Sequence, residues 1–345
     1  MEAVAPRVLV TGITGFLGSQ VCLECLSRNY LVRGTVRSKK DPKKLAFVEK
    51  LPNKEKLEIV EADLSKDEGW AEATKDCKYV IHVASPFPML TPKNENDIIL
   101  PAVQGTMRVI KAAKLNNVQK IIITSSVAAI DTYNKADKVL TEDHWSNLAK
   151  VNTYCKSKHL AEKEAWTFYN SQDPNNKMEM SVINPGFILG PSLIGTDFTS
   201  GEIIRKLLVN DLFGIPKVHW GIVDVRDCAI AHVNAIDNPE SNGKRFICVS
   251  EGLWMEEIIK ILREKYQPLG YTLPSHKVWK STLWIASIFS KEAEEIYPMW
   301  NLAPQYDNQR SIKILGVKYR SAKDAVLGMA ESLIKFGIVP DKSKK

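Results

Sequence analysis

The chain has 345 residues, 44% of them hydrophobic and 25% charged, with a formal net charge of +7. Such a length predicts one large domain with appended lobes, or two domains, and the balance is ordinary for a soluble globular protein. The lysines are spread, apart from Lys39-Lys40, Lys43-Lys44 and the tail Lys342-Ser343-Lys344-Lys345. Without a basic face interleaved with aromatics, nucleic acid is not an expected partner.

Met1 to Pro6 lacks the apolar run of a secretory signal. Strand-like runs then follow at Arg7–Thr11, Leu31–Val36, Leu57–Glu61, Tyr79–Val83, Lys120–Thr124 and Met178–Ile183. Each is nearly continuous in apolar character, as expected of a parallel strand buried on both faces. Between them, Phe16–Arg28, Pro42–Leu51, Trp70–Lys75, Gly105–Leu115 and Asn152–Asn170 read as helices. This alternation predicts an α/β fold with a doubly wound parallel sheet.

After Pro185 the pattern loosens, with Pro185-Gly186, Gly190-Pro191, Gly195 and Gly201 punctuating loops around a helical stretch at Glu202–Val209. Asp227 is placed to cap a helix through Asn238. Arg245–Val249 reads as another strand, and helices dominate from Glu251 to the last, Ala322–Phe336. The predicted organisation is a Rossmann domain over 1–190, to which a segment of about 221–250 returns. A smaller, mostly helical substrate lobe is built from 191–220 and 251–345.

Ser281–Phe289 is far short of the ~20 apolar residues that span a bilayer, so no membrane partner is expected. Six cysteines, at 22, 25, 77, 155, 228 and 248, sit mostly in apolar surroundings, as reduced thiols of a cytoplasmic protein do. Cys22 and Cys25 form a CxxC inside the first helix, with no second pair for zinc, and the six histidines form no cluster. No metal is expected. Whether the chain is a monomer or a homodimer is not written in the sequence.

The chemistry begins at Thr11-Gly12-Ile13-Thr14-Gly15-Phe16-Leu17-Gly18, between the first strand and the first helix. Glycines at 12, 15 and 18 permit a tight turn, close approach of a pyrophosphate and close helix–sheet packing, with the anion on the helix N-terminus. About 20 residues on, where a carboxylate would bind the ribose 2′-OH of NAD, stands Arg37. Arginine cannot accept hydrogen bonds but can grip a 2′-phosphate, and Lys44 in the next helix adds charge. This favours NADP(H). Asp63, past the third strand, could meet the adenine amine, and the small residues of Val83-Ala84-Ser85-Pro86, past the fourth, would let backbone pass close to a cofactor.

Ser125-Ser126 ends the fifth strand, where ligands of such folds bind. Tyr154 and Lys158 lie four residues apart on a predicted helix and so share a face, where an ammonium is expected to draw the phenol's pKa down. Chance alone supplies such a spacing, and a second copy occurs at Tyr319 and Lys323. Only Tyr154 follows the cofactor strands and a strand-end serine. Tyr319 is read as a residue at a helix start.

Together these residues resemble the extended short-chain dehydrogenase/reductase superfamily, in particular its dihydroflavonol reductase-like group. That group includes cinnamoyl-CoA reductases and yeast-type methylglyoxal or ketone reductases. The likeness also covers Pro101 to Thr106, Leu160-Ala161-Glu162, Asn184-Pro185-Gly186 and Asp224 to Asp227. It implies that Tyr154 donates a proton to a substrate carbonyl, that Lys158 holds the nicotinamide ribose, and that Ser126, with Ser125 the alternative, orients the carbonyl oxygen. It further implies that Gly12, Thr14, Gly15, Phe16, Leu17 and Gly18 hold the diphosphate and that Arg37 and Lys44 hold the 2′-phosphate. Asp63, Leu64, Val83, Ala84 and Ser85 would line the adenosine side, and Pro185, Gly186, Phe187, Ile188 and Ser200 the nicotinamide side.

The implied activity is NADPH-dependent reduction of a small-molecule ketone or aldehyde. Asp131 falls five residues after Ser126, where the plant dihydroflavonol enzymes carry Asn or Asp, but the stretch from there to Tyr154 is shorter than theirs. Val151 to Cys155 stands in place of the Asn-Trp-Tyr-Cys-Tyr tract of cinnamoyl-CoA reductases. Phe87, Pro88, Met89, Phe187 and the loop 196–200 are candidates for an apolar pocket. An NAD(P)-dependent hydroxysteroid dehydrogenase or nucleotide-sugar epimerase on the same scaffold is the alternative. A cofactor-binding sensor without turnover is the reading from a different class.

Overall fold

The computed structural model describes residues 5–85, 94–131, 133, 138–195 and 199–343. Its strands are β1 (Arg7–Val10), β2 (Leu31–Val36), β3 (Leu57–Glu61), β4 (Tyr79–His82), β5 (Lys120–Thr124), β6 (Val139–Leu140), β7 (Glu179–Pro185), β8 (Phe187–Leu189), β9 (His219–Asp224), β10 (Lys244–Cys248), β11 (Glu251–Trp254) and β12 (Gln305–Tyr306). Seven of them form one parallel sheet in the order β10-β7-β5-β4-β1-β2-β3. Successive side chains point to opposite faces. Val8 and Val10 join one apolar core and Leu9 the other; Ile122 joins the first, Ile121 and Ile123 the second. Covering both faces is what makes the strands read as unbroken apolar runs.

The helices are α1 (Phe16–Ser27), α2 (Pro42–Leu45), α3 (Trp70–Thr74), α4 (Asn96–Leu115), α5 (Thr153–Ser171), α6 (Thr199–Leu208), α7 (Val225–Asn234), α8 (Met255–Tyr266), α9 (Lys280–Phe289), α10 (Lys291–Ile296), α11 (Gln309–Leu315) and α12 (Ala322–Lys335). α1 and α7 pack together, and α4 lies along α5. This is the doubly wound Rossmann architecture. Strand order reverses between β1 and β4, which opens a crevice at their carboxyl ends.

The structure corrects several boundaries. The helix expected over 42–51 is α2 followed by a single 3-10 turn at Val48–Lys50. α4 starts at Asn96 rather than Gly105, with Pro101 inside it near its N-terminal end. Asp227 does not cap α7; Asp224 does, its carboxylate accepting from the Arg226 amide, while Asp227 is buried and paired with Arg320. A three-stranded sheet, β11-β9-β8, and the pair β12-β6 lie outside the predicted strands. β10 returns to the main sheet beside β7. Among the described residues no helix is long and apolar enough to cross a membrane, and no group of three ligand-type side chains is placed to hold a metal ion. All six cysteines are buried free thiols, including Cys22 and Cys25 inside α1.

Candidate active site

The site is built where β1 and β4 end side by side. Thr11 Oγ1 accepts from the amides of Val83 and Ala84, both at 3.0 Å. With both lone pairs used, its hydroxyl donates to His82 Nδ1 at 3.0 Å, so the imidazole proton sits on Nε2. Gly12 takes φ +71, and its amide donates to Thr35 Oγ1 at 3.0 Å while Gly15 N donates back to Gly12 O at 2.9 Å. A Cβ at Gly18 would lie 2.2 Å from Gly12 O, and one at Gly12 would meet Ala84 Cβ at 3.0 Å. Gly15 caps α1 without a side chain, and no acidic residue occupies the first turn. A cradle that a single Cβ would fill, ending on an uncapped helix N-terminus, fits a diphosphate. Thr14 is half-buried in this turn, and Phe16 and Leu17 are buried behind it.

Arg37 is exposed just past β2, and Lys44 is exposed in α2 with Asp41 Oδ2 at 3.8 Å. Asp63, past β3, accepts from Ser65 N at 2.9 Å and Ser65 Oγ at 2.8 Å. The Ser65 amide, then the Ser65 hydroxyl and the Arg37 guanidinium, hold this carboxyl below the usual range against the opposing cost of burial. Arg37 and Asp63 therefore share the far end of the crevice. Leu64 is half-buried beside Gly105 of α4, where an added Cβ would come within 3.0 Å of it. Val83 and Ala84 are half-buried and Ser85 exposed. Pro86, Phe87, Pro88 and Met89 lie outside the described residues, as do 196–198 of the 196–200 loop.

β5 hands over to Ser125 and Ser126, which turn opposite ways. Ser125 Oγ donates to Glu162 Oε2 at 2.6 Å, deep behind α5. Ser126 shares a hydrogen bond with the Tyr154 phenol, and its Oγ accepts from Ala128 N at 3.1 Å. Ser126 is thus the serine beside Tyr154. α5 begins where Asn152 Oδ1 accepts from Cys155 N at 3.0 Å, which fixes Tyr154 and Lys158 on its first turns. Lys158 lines a small cleft with His82, Thr106, Ser125 and Glu162.

Burial sets the charges here. It pushes the Tyr154 phenol up to about 12, with the Ser126 hydroxyl pulling the other way. The expectation that Lys158 draws the phenol toward neutrality is not met in the protein by itself; desolvation is the larger effect. Burial lowers Lys158 to about 8, against the pull of the Glu162 carboxylate. His82, buried and facing Lys158, falls to about 3 and is neutral.

Pro185 closes β7, next to β5, and Gly186 joins it to Phe187 and Ile188 of β8; the Phe187 ring packs on Trp220 with centroids 5.7 Å apart. Ser200 lies in the first turn of α6, which packs on β8. Asp131 accepts from Tyr133 N at 3.0 Å, and its carbonyl accepts from Tyr306 Oη at 3.1 Å. The second Tyr–Lys pair is no site. Tyr319 Oη bonds Ser311 Oγ at 2.8 Å before α12 begins, whereas Lys323 is exposed on that helix near Glu264. Sequence reasoning assigned no role to Thr11, Asn184, Glu162 or Arg245. Only Glu162 carried a local signal, four residues beyond Lys158.

A dinucleotide cradle at the switch point, with Ser126, Tyr154 and Lys158 gathered beside it, defines an extended short-chain dehydrogenase/reductase. The family model for the NAD dependent epimerase/dehydratase family matches residues 8–248, and the chain belongs to that family. It is 30% identical to the NADPH-dependent methylglyoxal reductase GRE2 of Saccharomyces cerevisiae, over 95% of this chain and 98% of that protein. It is 28% identical to the bifunctional dihydroflavonol 4-reductase/flavanone 4-reductase of Malus domestica, over 99% of this chain and 94% of that protein. The crystal structure of yeast methylglyoxal/isovaleraldehyde reductase Gre2 complexed with NADPH superposes with a TM-score of 0.80 at 28% identity, covering 96% of this chain and 99% of that one.

Proposed function

We propose that this protein is an NADPH-dependent reductase of ketones or aldehydes, with Tyr154 as proton donor, Ser126 orienting the carbonyl oxygen and Lys158 holding the nicotinamide ribose. The observation that carries the reading is the placement of Tyr154 and Lys158 on the first turns of α5, fixed by the Asn152 cap, with Ser126 beside the phenol just past β5. The carbonyl substrates in the relatives' names support the same chemistry. NADPH, when bound, supplies the hydride for the carbonyl carbon. Gly12 to Gly18 hold its diphosphate, Arg37 and Lys44 its 2′-phosphate, and Asp63, Leu64 and Val83 to Ser85 its adenosine half. Pro185 to Ile188 and Ser200 face its nicotinamide half.

A phenol at about 12 keeps its proton at neutral pH and has it to give as negative charge develops on the carbonyl oxygen. Ser126, beside it, fixes that oxygen in line with the phenol. The cofactor half of the chain is 1–190 with the returning segment 221–250; the rest forms the substrate lobe, and Phe187, near the end of the cofactor half, adds an apolar wall to the pocket between nicotinamide and substrate. Six buried thiols support a reducing, cytoplasmic setting. A scan of ketones, aldehydes and acyl-CoA thioesters, followed by NADPH absorbance, tests the reading. Turnover of none of them, with NADPH bound, supports the sensor instead.

Two further results are expected. Lys158 loses its proton near pH 8 while Tyr154 keeps its own, so kcat/KM declines above about pH 8 as the ribose-binding cation is lost. Lys158→Arg, always charged, removes that limb from the pH profile. Arg37→Asp replaces a guanidinium by an anion facing the 2′-phosphate. It should shift the ratio of kcat/KM for NADPH over NADH toward NADH by about 10²-fold, and an unchanged ratio would remove Arg37 from the 2′-phosphate site.

A further inference from the structure

We propose that Glu162, held by Arg245 behind the site, is a positioning residue for carbonyl reduction that keeps Lys158 a cation and fixes the strand end presenting Ser126. This rests on the reductase reading above. Glu162 is only 1% exposed, and its carboxylate takes five donors. Oε2 accepts from Ser125 Oγ at 2.6 Å, Asn184 Nδ2 at 2.8 Å and Arg245 Nη2 at 3.3 Å; Oε1 accepts from Arg245 Nε at 2.6 Å and Trp166 Nε1 at 3.0 Å. A carboxylate so surrounded has both oxygens engaged and is fixed in one orientation.

The same Asn184 Nδ2 donates to the Ser126 carbonyl at 3.2 Å, so Glu162 grips both serines, one directly and one through Asn184. Arg245 is held in turn. Its Nη1 donates to the carbonyls of Glu142 and His144, both at 2.7 Å, and its guanidinium stacks 3.8 Å from the Trp145 ring centroid. The pair thereby ties β10, the 142–146 segment, β7 and the end of β5 to the helix that carries Tyr154. A buried ion pair alone is weak support for stability, because desolvation offsets its attraction. Its contacts with both site serines and its place one turn past Lys158 give it a catalytic use.

Among the described residues, the groups that share the cleft with Lys158 are few. Glu162 lies on its own helix and His82 comes from β4, while Thr106 of α4 and Ser125 after β5 do not titrate in the working range. His82 stays neutral there, so Glu162 is the anion that favours the ammonium. Removing that anion lowers the pH at which Lys158 loses its proton.

The test pairs Glu162→Gln with Arg245→Met, which removes both charges of the ion pair together, so that Arg245 is not left buried without its carboxylate. The expected result is an alkaline limb of kcat/KM moved to lower pH by about half a unit or more, and a kcat about tenfold lower, with NADPH affinity within about threefold of wild type. An unmoved limb in the folded double variant overturns the proposal. Ser125→Ala, which removes one small buried hydroxyl, decides the matter should the double variant not fold. A kcat at least about threefold lower with the limb in place supports the proposal, and wild-type kcat overturns it. Wild-type protein assayed alongside separates this failure from that of the reductase reading, in which no carbonyl is turned over at all.

Discussion

Tyr154→Phe is expected to lower kcat for carbonyl reduction by about 10²- to 10⁴-fold, the range typical of a lost general acid. The phenylalanine ring keeps the packing of Tyr154 against Ala128, Val151 and Cys155, so only the hydroxyl is removed. Ser126 retains the Ala128 amide as a partner, and the local turn stays capped. NADPH affinity, measured by fluorescence titration, should stay within about threefold, because the phosphate contacts lie across the crevice. Tyr319→Phe is the control. Its hydroxyl bonds Ser311 and the Ile247 carbonyl rather than Ser126, so kcat should not change even where stability drops. A Tyr154→Phe enzyme with wild-type turnover would end the proton-donor assignment.

Gly18→Ala should weaken NADPH binding by about 10²-fold or more, with a loss of roughly 1–3 kcal/mol in stability from overpacking. Two effects compete. Alanine favours a helix interior over glycine by about 1 kcal/mol, and Gly18 lies in α1. Against this, the new Cβ would sit 2.2 Å from Gly12 O and 2.9 Å from Gly12 C, both backbone atoms. That backbone cannot yield freely. Gly12 is pinned by Thr35 Oγ1 at 3.0 Å and Ile13 N by Thr35 O at 3.1 Å. The clash therefore wins, and the turn shifts away from the diphosphate. Gly15→Ala, whose nearest contact would be Gly12 O at 3.2 Å, should be milder. A Gly18→Ala protein that binds NADPH as tightly as wild type would count against the cradle.

Three physical features made most of the fold and the cofactor half of the site legible in the sequence. Unbroken apolar runs such as Ile121–Ile123 could only be strands buried on both faces, and the parallel sheet followed from their alternation with helices. Gly12 encodes a left-handed backbone conformation, and Gly12 and Gly18 a close approach that an added Cβ would crowd. Tyr154 and Lys158 carry their own geometry in a four-residue spacing. Where a local rule misled, packing outweighed it. α4 begins before Pro101 and runs on through it, packed along α5, and Asp224 rather than Asp227 meets the free amides of α7.

The amino-acid order by itself determined the parallel sheet, the cradle, the charge at Arg37 and the pairing of Tyr154 with Lys158, because each depends on residues near one another along the chain. Only the tertiary structure decided which serine meets Tyr154, that burial and not Lys158 governs its phenol, and that Glu162 stands behind both. Ser125 reaches Glu162 across 37 positions, Asn184 reaches Ser126 across 58, and Arg245 reaches Glu162 across 83. No local periodicity records contacts of that span, and desolvation belongs to the assembled core rather than to any segment of it.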